Sequence, residues 1–351
     1  MNVDPFTGQL IHHHGVWTQT NCLEREQAIM LDIVKMVEHK GYRQSDTNRR
    51  MWTKGHRKII VCLVDDLRSA SQDYETDTPY LWDSNTLVIT DNYIACPTLY
   101  EVLSVPKSFF GIYHHAGDQS WQPDRSFCFS VNRLDDRRLR LMLELAKRAH
   151  LSEGYINFNC QTEYLPDSII PDHAQLKANF DAAFGRLSDQ DAEKYQWSFN
   201  LLSGIVPYRN YDCEHEQIHV RSRCNIVVES YGSDNTVAFS EKIFRALLVP
   251  SPWTLYGGHY AVAYLESLGF DCLRDVINHN HYDQLKEIED KAHVFIWFSL
   301  KFAREADQSW LAERCRKAAW QNQQLLNHFR EQWPEDWSRW LSQLEDRLSN
   351  L

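Results

Sequence analysis

The chain alternates between short apolar runs and segments with helical spacing. Residues 23–40, LEREQAIMLDIVKMVEHK, repeat apolar side chains every three or four positions and run into Gly41, which predicts an amphipathic helix with a glycine stop. IIVCLVDD (59–66) is a continuous β-branched run of the kind found in strands covered on both faces. TLVITDN (86–92) and KSFFGIYHH (107–115) read as two further strands, with TLYEVL (98–103) a short helix between them, stopped by Pro106. AGDQSWQPDR (116–125) is polar and turn-rich and reads as a linker. The pattern then restarts, with strands predicted at 127–132, 155–160, 224–230 and 252–258. Helices are predicted at 137–150, 172–185, 189–201, 241–248 and 259–269. From residue 282 the chain reads as helical almost to its end, interrupted by Pro334 between two Trp-rich stretches.

Strands separated by helices predict parallel sheets with crossover connections. The fold class is therefore α/β, with two Rossmann-like lobes and a helical C-terminal tail. The boundaries fall at 1–120 for the first lobe, 121–305 for the second and 306–351 for the tail. In open α/β sheets, chemistry sits at the carboxyl ends of the strands, here in a cleft between lobes.

Composition narrows the picture in three ways. A length of 351 residues suits two domains, and the formal charge of -11 argues against a generally basic nucleic-acid coat protein. The nine cysteines are scattered singly with no CxxC, which predicts a reduced, cytoplasmic chain rather than a disulfide scaffold. No signal peptide is legible in MNVDPFTGQLIHHHG, and no apolar run reaches the length of a membrane span. Against the acidic average, residues 43–58 carry six Lys or Arg and one Asp around Trp52.

Two constellations suggest phosphate chemistry. NRLDDRR (132–138) ends a strand with Asn132 and Arg133 and opens a helix with Arg137 and Arg138. A helix start offers free N–H groups and a positive dipole end, and arginines add forked donors. The alternative is a polar turn capped by Asp135 or Asp136. In VVESYGSDNTVAFSEKIFRALL (227–248), Glu229 ends a strand, Ser240 caps a helix, and Glu241-Lys242 opens it. LYGGHYAV (255–262) adds Gly257 and Gly258 after a strand. Patterns for dinucleotide folds, P-loops, serine hydrolases, zincins and kinases are absent. Cys213, His215 and His219 have metal-ligand character but lack a further partner set, so no metal is expected.

The sequence CNIVVES…AFSEKIFRALLVPSPWTLYGG resembles the donor-binding half of the alpha-1,3-fucosyltransferase family. The matching residues are Glu229, Ser240-Glu241-Lys242, Pro252 and Gly257, and FSVNRLDDRRLRLMLEL resembles the opening of the same lobe with Asn132 and Arg138. The resemblance covers about residues 126–285. It implies a GT-B fold, an inverting transfer without an obligatory metal or cofactor, and a nucleotide-diphosphate sugar as donor. On that carry-over Lys242 and Arg138 contact the diphosphate, while Glu229 and Glu241 contact ribose or sugar hydroxyls. The chain departs from the family at Ser230 and Ala238, so UDP- and GDP-sugars both stay open.

An inverting transfer needs a group to take the acceptor's proton. Strand-end positions in the first lobe single out Asp66, then Asp91 and His115, with Asp65 and His114 beside them. Arg49, Arg50, Trp52, Lys54 and Arg57 suit phosphates and a displaced base, which favours a hydroxymethylated base in DNA as acceptor. A surface polysaccharide or lipopolysaccharide is the competing acceptor. A catalytically inactive binding protein of the same fold is the competing class.

Overall fold

A computed structural model describes residues 19–45, 50–63, 84–91, 93–94, 100–113, 120–161, 172–212, 215–229, 236–285, 288–305 and 308–350. The first lobe opens with α1 (Gln19–His39), ended as predicted at Gly41, whose φ of 85° only glycine adopts readily. Strands β1 (Arg43–Gln44), β2 (Met51–Lys54), β3 (Arg57–Cys62), β4 (Thr86–Thr90), β5 (Tyr93–Ile94) and β6 (Glu101–Ser104) follow. The first sheet runs β1-β2-β3-β4-β6. Its β3, β4 and β6 are parallel, and β1 and β2 add antiparallel edges.

Within the basic stretch, β2 and β3 form a hairpin: Met51 and Trp52 are buried, and Gly55 turns the chain with φ 62°. Two expectations for this lobe change. The segment expected as a helix holds edge strand β6 instead, because pairing with β4 outweighs its weak helical propensity. Lys107–Ile112, expected as a strand, is a 3-10 turn started by Pro106. Phe109 and Phe110 face opposite partners, Trp333 and Phe244, so this segment is an aromatic wedge and not a ladder.

Of the predicted linker 116–125, residues 120–125 are described. Trp121 Nε1 donates to the Ser222 carbonyl at 2.7 Å, which ties residues 120–124 to the sheet. Then come β7 (Arg125–Arg133), α2 (Asp136–Arg148), β8 (Gly154–Gln161), α3 (His173–Phe184), α4 (Asp189–Ser203), β9 (Tyr208–Arg209), α5 (His215–Val220), β10 (Ser222–Val228) and β11 (Thr236–Val237). They lead to α6 (Glu241–Leu248), β12 (Trp253–Tyr256), α7 (Ala261–Ser267), α8 (Asn280–Asp283) and α9 (Ile288–Glu305). The sheet order is β12-β10-β7-β8-β9, parallel except for the edge strand β9. The chain winds outward from β7 to β8, then returns to place β10 on β7's other side. This reversal creates a switch point at the carboxyl ends of β7 and β10. The molecule is thus α/β with two mixed sheets.

The chain ends in one helix, α10 (Gln308–Asn350), which continues through Pro334 where a break was predicted. Proline inside a helix costs about 3 kcal/mol. Here Trp333, Trp337 and Trp340 stack at 4.9 Å spacings and are buried, and Trp340 Nε1 reaches the Ser104 carbonyl at 2.9 Å. Burial of three indoles, about 3–5 kcal/mol each, outweighs the proline cost. Those tryptophans pack on the first lobe and are not a lipid-facing stripe. The two lobes also share the β5–β11 ribbon and the stacked pair Tyr113–Phe244, with ring centroids 4.1 Å apart. No helix among the described residues is long and apolar enough to cross a membrane.

Candidate functional site

The switch point gathers the second lobe's predicted residues. The pairing of Ile226 with Phe129, continued along the strands, brings the end of β10 level with Asn132. Glu229 follows β10 directly, and its backbone N–H bonds the Tyr256 carbonyl at 3.0 Å, which sets it beside Gly257. Its side chain is 1% exposed and accepts from the Ser240 backbone N–H at 3.1 Å and from the Ser240 hydroxyl. Ser240 caps α6, its Oγ accepting from the Lys242 backbone N–H at 3.4 Å, with Lys242 Nζ 3.5 Å away. Glu229, Ser240 and Lys242 are therefore one connected unit.

The two carboxyl groups here are pushed opposite ways. Burial raises Glu229 above its usual range, offset in part by the Lys242 charge and the Ser240 bonds. Glu241 is also penalised by burial, but the charges of Lys242 and Arg245 hold it below its usual range. The surroundings thus bias the two carboxyl groups in opposite directions, Glu229 toward its neutral form and Glu241 toward its charged form.

Cations approach from the other side of the strand ends. Arg137 lies 5.4 Å from the Tyr256 ring centroid and Lys291 lies 5.8 Å from it. Lys291 Nζ donates to the carbonyls of Gly257 and Gly258 at 3.1 and 3.2 Å. Gly257 is in a close approach: a Cβ there would meet the Ala261 Cβ at 3.0 Å. Asp283 ties down the start of α7 by accepting from the backbone N–H groups of Val262 and Ala263.

Arg138 lies at the turn between β7 and α2. It is 6% exposed, donates to the Arg133 carbonyl at 3.2 Å and sits 3.6 Å from the Asp135 carboxylate. It braces the β7–α2 turn, and Arg137 is the arginine beside the strand ends. Asp135 caps α2, accepting from the Arg138 backbone N–H at 2.8 Å. Asn132 is exposed and Arg133 half-buried. Arg137, Tyr256 and Lys291 are members of the site that the residue choice above left out. Arg137 was adjacent to the chosen arginine, and Lys291 had no sequence signal, being brought in by α9.

Of the candidate bases, Asp91 follows the carboxyl end of β4 and is buried. Asp66 and His115 lie outside the described residues, as do Asp65 and His114. Arg49 also lies outside them, and Arg50 is half-buried. Trp52 is 3% exposed and its Nε1 is bonded to Glu38 at 3.4 Å, so it offers no face to a base. Lys54 and Arg57 are exposed at the hairpin turn, which is the amino end of β3 and not its carboxyl end. Lys54 also donates to the Lys40 carbonyl at 2.8 Å.

A buried Cys128–His219–Asn225 group has the residue types of a nucleophilic triad without its geometry. Cys128 Sγ and Asn225 Oδ1 both face His219 Nδ1, at 3.6 and 3.1 Å, where a relay needs opposite ring nitrogens. Burial raises the Cys128 thiol to about 12, which removes its nucleophilicity near neutral pH. Among the described residues no group of three His, Cys, Asp or Glu is placed to hold a metal ion.

Compared with protein-family models, curated proteins and solved structures, the chain matches none.

Proposed function

We propose that the protein is a glycosyltransferase of GT-B type, taking a sugar from a nucleotide-diphosphate donor held at the carboxyl ends of β7, β10 and β12. The observation that carries this reading is the Glu229–Ser240–Lys242 unit at the switch point, with Arg137 and Lys291 beside Tyr256 at the end of the neighbouring strand β12. A lysine at a helix start suits a diphosphate leaving group, and adjacent carboxyl groups suit ribose or sugar hydroxyls.

The chemistry is an inverting displacement. The acceptor oxygen attacks the anomeric carbon, and the carbon–oxygen bond to the diphosphate breaks. The leaving diphosphate keeps the electron pair, and its charge meets Lys242 and Arg137. The acceptor's proton passes to a first-lobe carboxylate, for which Asp91 is the described candidate.

A hydroxymethylated base in DNA is the acceptor to test first, since Arg43, Lys54 and Arg57 give the first lobe an exposed basic turn. That turn would touch the duplex away from the reacting hydroxyl. Release of free nucleoside diphosphate from UDP- and GDP-sugars, with and without acceptor, tests the proposal. Acceptor-dependent release supports an enzyme. Donor binding without release supports an inactive binding protein of the same fold.

A further inference from the structure

Parallel sheets are ordinarily covered by apolar contacts on both faces. In the second lobe β10 and β12 keep this rule, with Val227, Trp253 and Leu255 buried on the second face, but β7 and β8 keep it on one face only. Phe127, Phe129 and Val131 of β7 and Ile156 and Phe158 of β8 are buried on the side of α2 and α9. On the opposite face the same strands present Cys128, Ser130 and Asn132, and Tyr155, Asn157 and Asn159. Cys128 and Tyr155 cluster with Ile218 of α5. Beyond them Ser130, Asn157 and Asn159 are only half-buried and Asn132 is exposed.

These polar groups are organised. Asn157 Nδ2 donates to Asn132 Oδ1 at 2.7 Å and to Ser130 Oγ at 3.3 Å. The mutual bond fixes both amides and turns Asn132 Nδ2, a donor, and Asn157 Oδ1, an acceptor, toward further partners. A sugar hydroxyl both donates and accepts, so this pair matches it. Ser130 also lines a cavity of about 40 Å³ whose walls include Lys242 and Arg245. That is room for about three waters. The face is therefore neutral and hydrogen-bonding at one end and cationic at the other.

We propose that this face of β7 and β8 binds a sugar phosphate, with its phosphate toward Lys242 and Arg245 and its hydroxyls over Ser130, Asn132 and Asn157. The inference rests on the donor reading only in sharing Lys242. It adds that the sugar lies on the open sheet face. The ligand chemistry has two sources, a free sugar phosphate or the sugar-phosphate end of a nucleotide-diphosphate sugar.

Isothermal titration of the full chain tests it with two sets of probes. One set is the 1-phosphates of glucose, galactose, mannose and fucose. The other is UDP-glucose, UDP-galactose, GDP-mannose and GDP-fucose, with plain UDP and GDP as references. Asn132→Leu is at an exposed position and keeps the fold, and Asn157→Leu removes the second amide. Each variant is expected to weaken the sugar-bearing probe by about five- to tenfold and to leave UDP or GDP within about twofold. Binding of a 1-phosphate identifies the free source, and binding of nucleotide sugars alone identifies the linked one. If UDP or GDP binds but neither variant changes any sugar-bearing probe, this inference is overturned while the donor reading stands. If nothing binds, both fall.

Discussion

Glu229 and Ser240 are eleven residues apart in sequence, yet the Ser240 backbone N–H is 3.1 Å from a Glu229 carboxylate oxygen. The contact fastens the end of a central strand to the first turn of the helix that carries Lys242. Ser240→Ala removes both the helix cap and the hydroxyl donated to Glu229. A lost cap costs about 1 kcal/mol and an unsatisfied buried acceptor about 1–3 kcal/mol. Urea unfolding is expected to show a loss of about 2–3 kcal/mol, with donor affinity falling as well. Unchanged stability would mean that the unit does not hold the helix start.

Gly111 sets how closely α10 approaches the first lobe. A Cβ at this position would stand 2.5 Å from the Arg330 backbone nitrogen. Backbone cannot give way as a side chain does, so Gly111→Ala is expected to cost about 1–3 kcal/mol. A calorimetric melt checks this. A variant as stable as the parent would show that the helix docks more loosely than described.

Glu144 is a fully buried carboxylate of α2 that ties this helix to Tyr195 of α4 and His293 of α9. It bonds Arg148 at 2.8 Å and the Tyr195 hydroxyl at 2.8 Å, with His293 at 3.4 Å. Burial alone would raise its pKa, but the Arg148 and Tyr195 bonds and the Arg148 charge bring it below its ordinary 4.5. A depressed folded value means that the stabilisation is fully present above 4.5 and is lost as pH falls through the lower folded value. Glu144→Gln should flatten that acid limb of the stability–pH curve. Glu144→Ala, which strands Arg148, should cost about 3–5 kcal/mol at neutral pH. An acid limb identical in Glu144→Gln and the parent would assign it to other groups.

Substitutions at the exposed hairpin turn distinguish the proposed acceptor from the proposed donor. Lys54→Ala with Arg57→Ala is expected to leave donor affinity unchanged, since the turn lies at the amino end of β3. If duplex DNA is the acceptor, filter binding should weaken in this variant, and the salt dependence should lose about two phosphate contacts. Retention that is absent or independent of salt in the parent would count against a DNA acceptor.

The second lobe was legible because its signals are local. The predicted helix at 241–248 is the observed α6, since Ser240, the apolar spacing and the following prolines all mark its limits. Most strands of that sheet fell within two residues of prediction for the same reason. The first lobe was less legible because its elements depend on distant partners. Phe109 and Phe110 look like strand residues, but Trp333 and Phe244 decide their conformation. Pro334 reads as a break until the stack of Trp333, Trp337 and Trp340 is placed on the first lobe. In the site, Glu229, Ser240, Glu241 and Lys242 were named from sequence, whereas Lys291 and Asn157 enter only through tertiary packing. Trp52 failed as a base platform because both faces of β2 are covered there, with Met51 and Trp52 each buried in a separate apolar cluster.

On the proposed function, Lys242 and its neighbours hold a nucleotide diphosphate at the switch point. Titration of UDP, GDP and their sugars into the parent protein and Lys242→Ala tests it most directly. The parent should bind one nucleotide series, and the variant should lose at least about tenfold in affinity, as expected when a charge-assisted contact worth about 1.5–3 kcal/mol is removed. No binding by the parent, or equal binding by parent and variant, would contradict the claim.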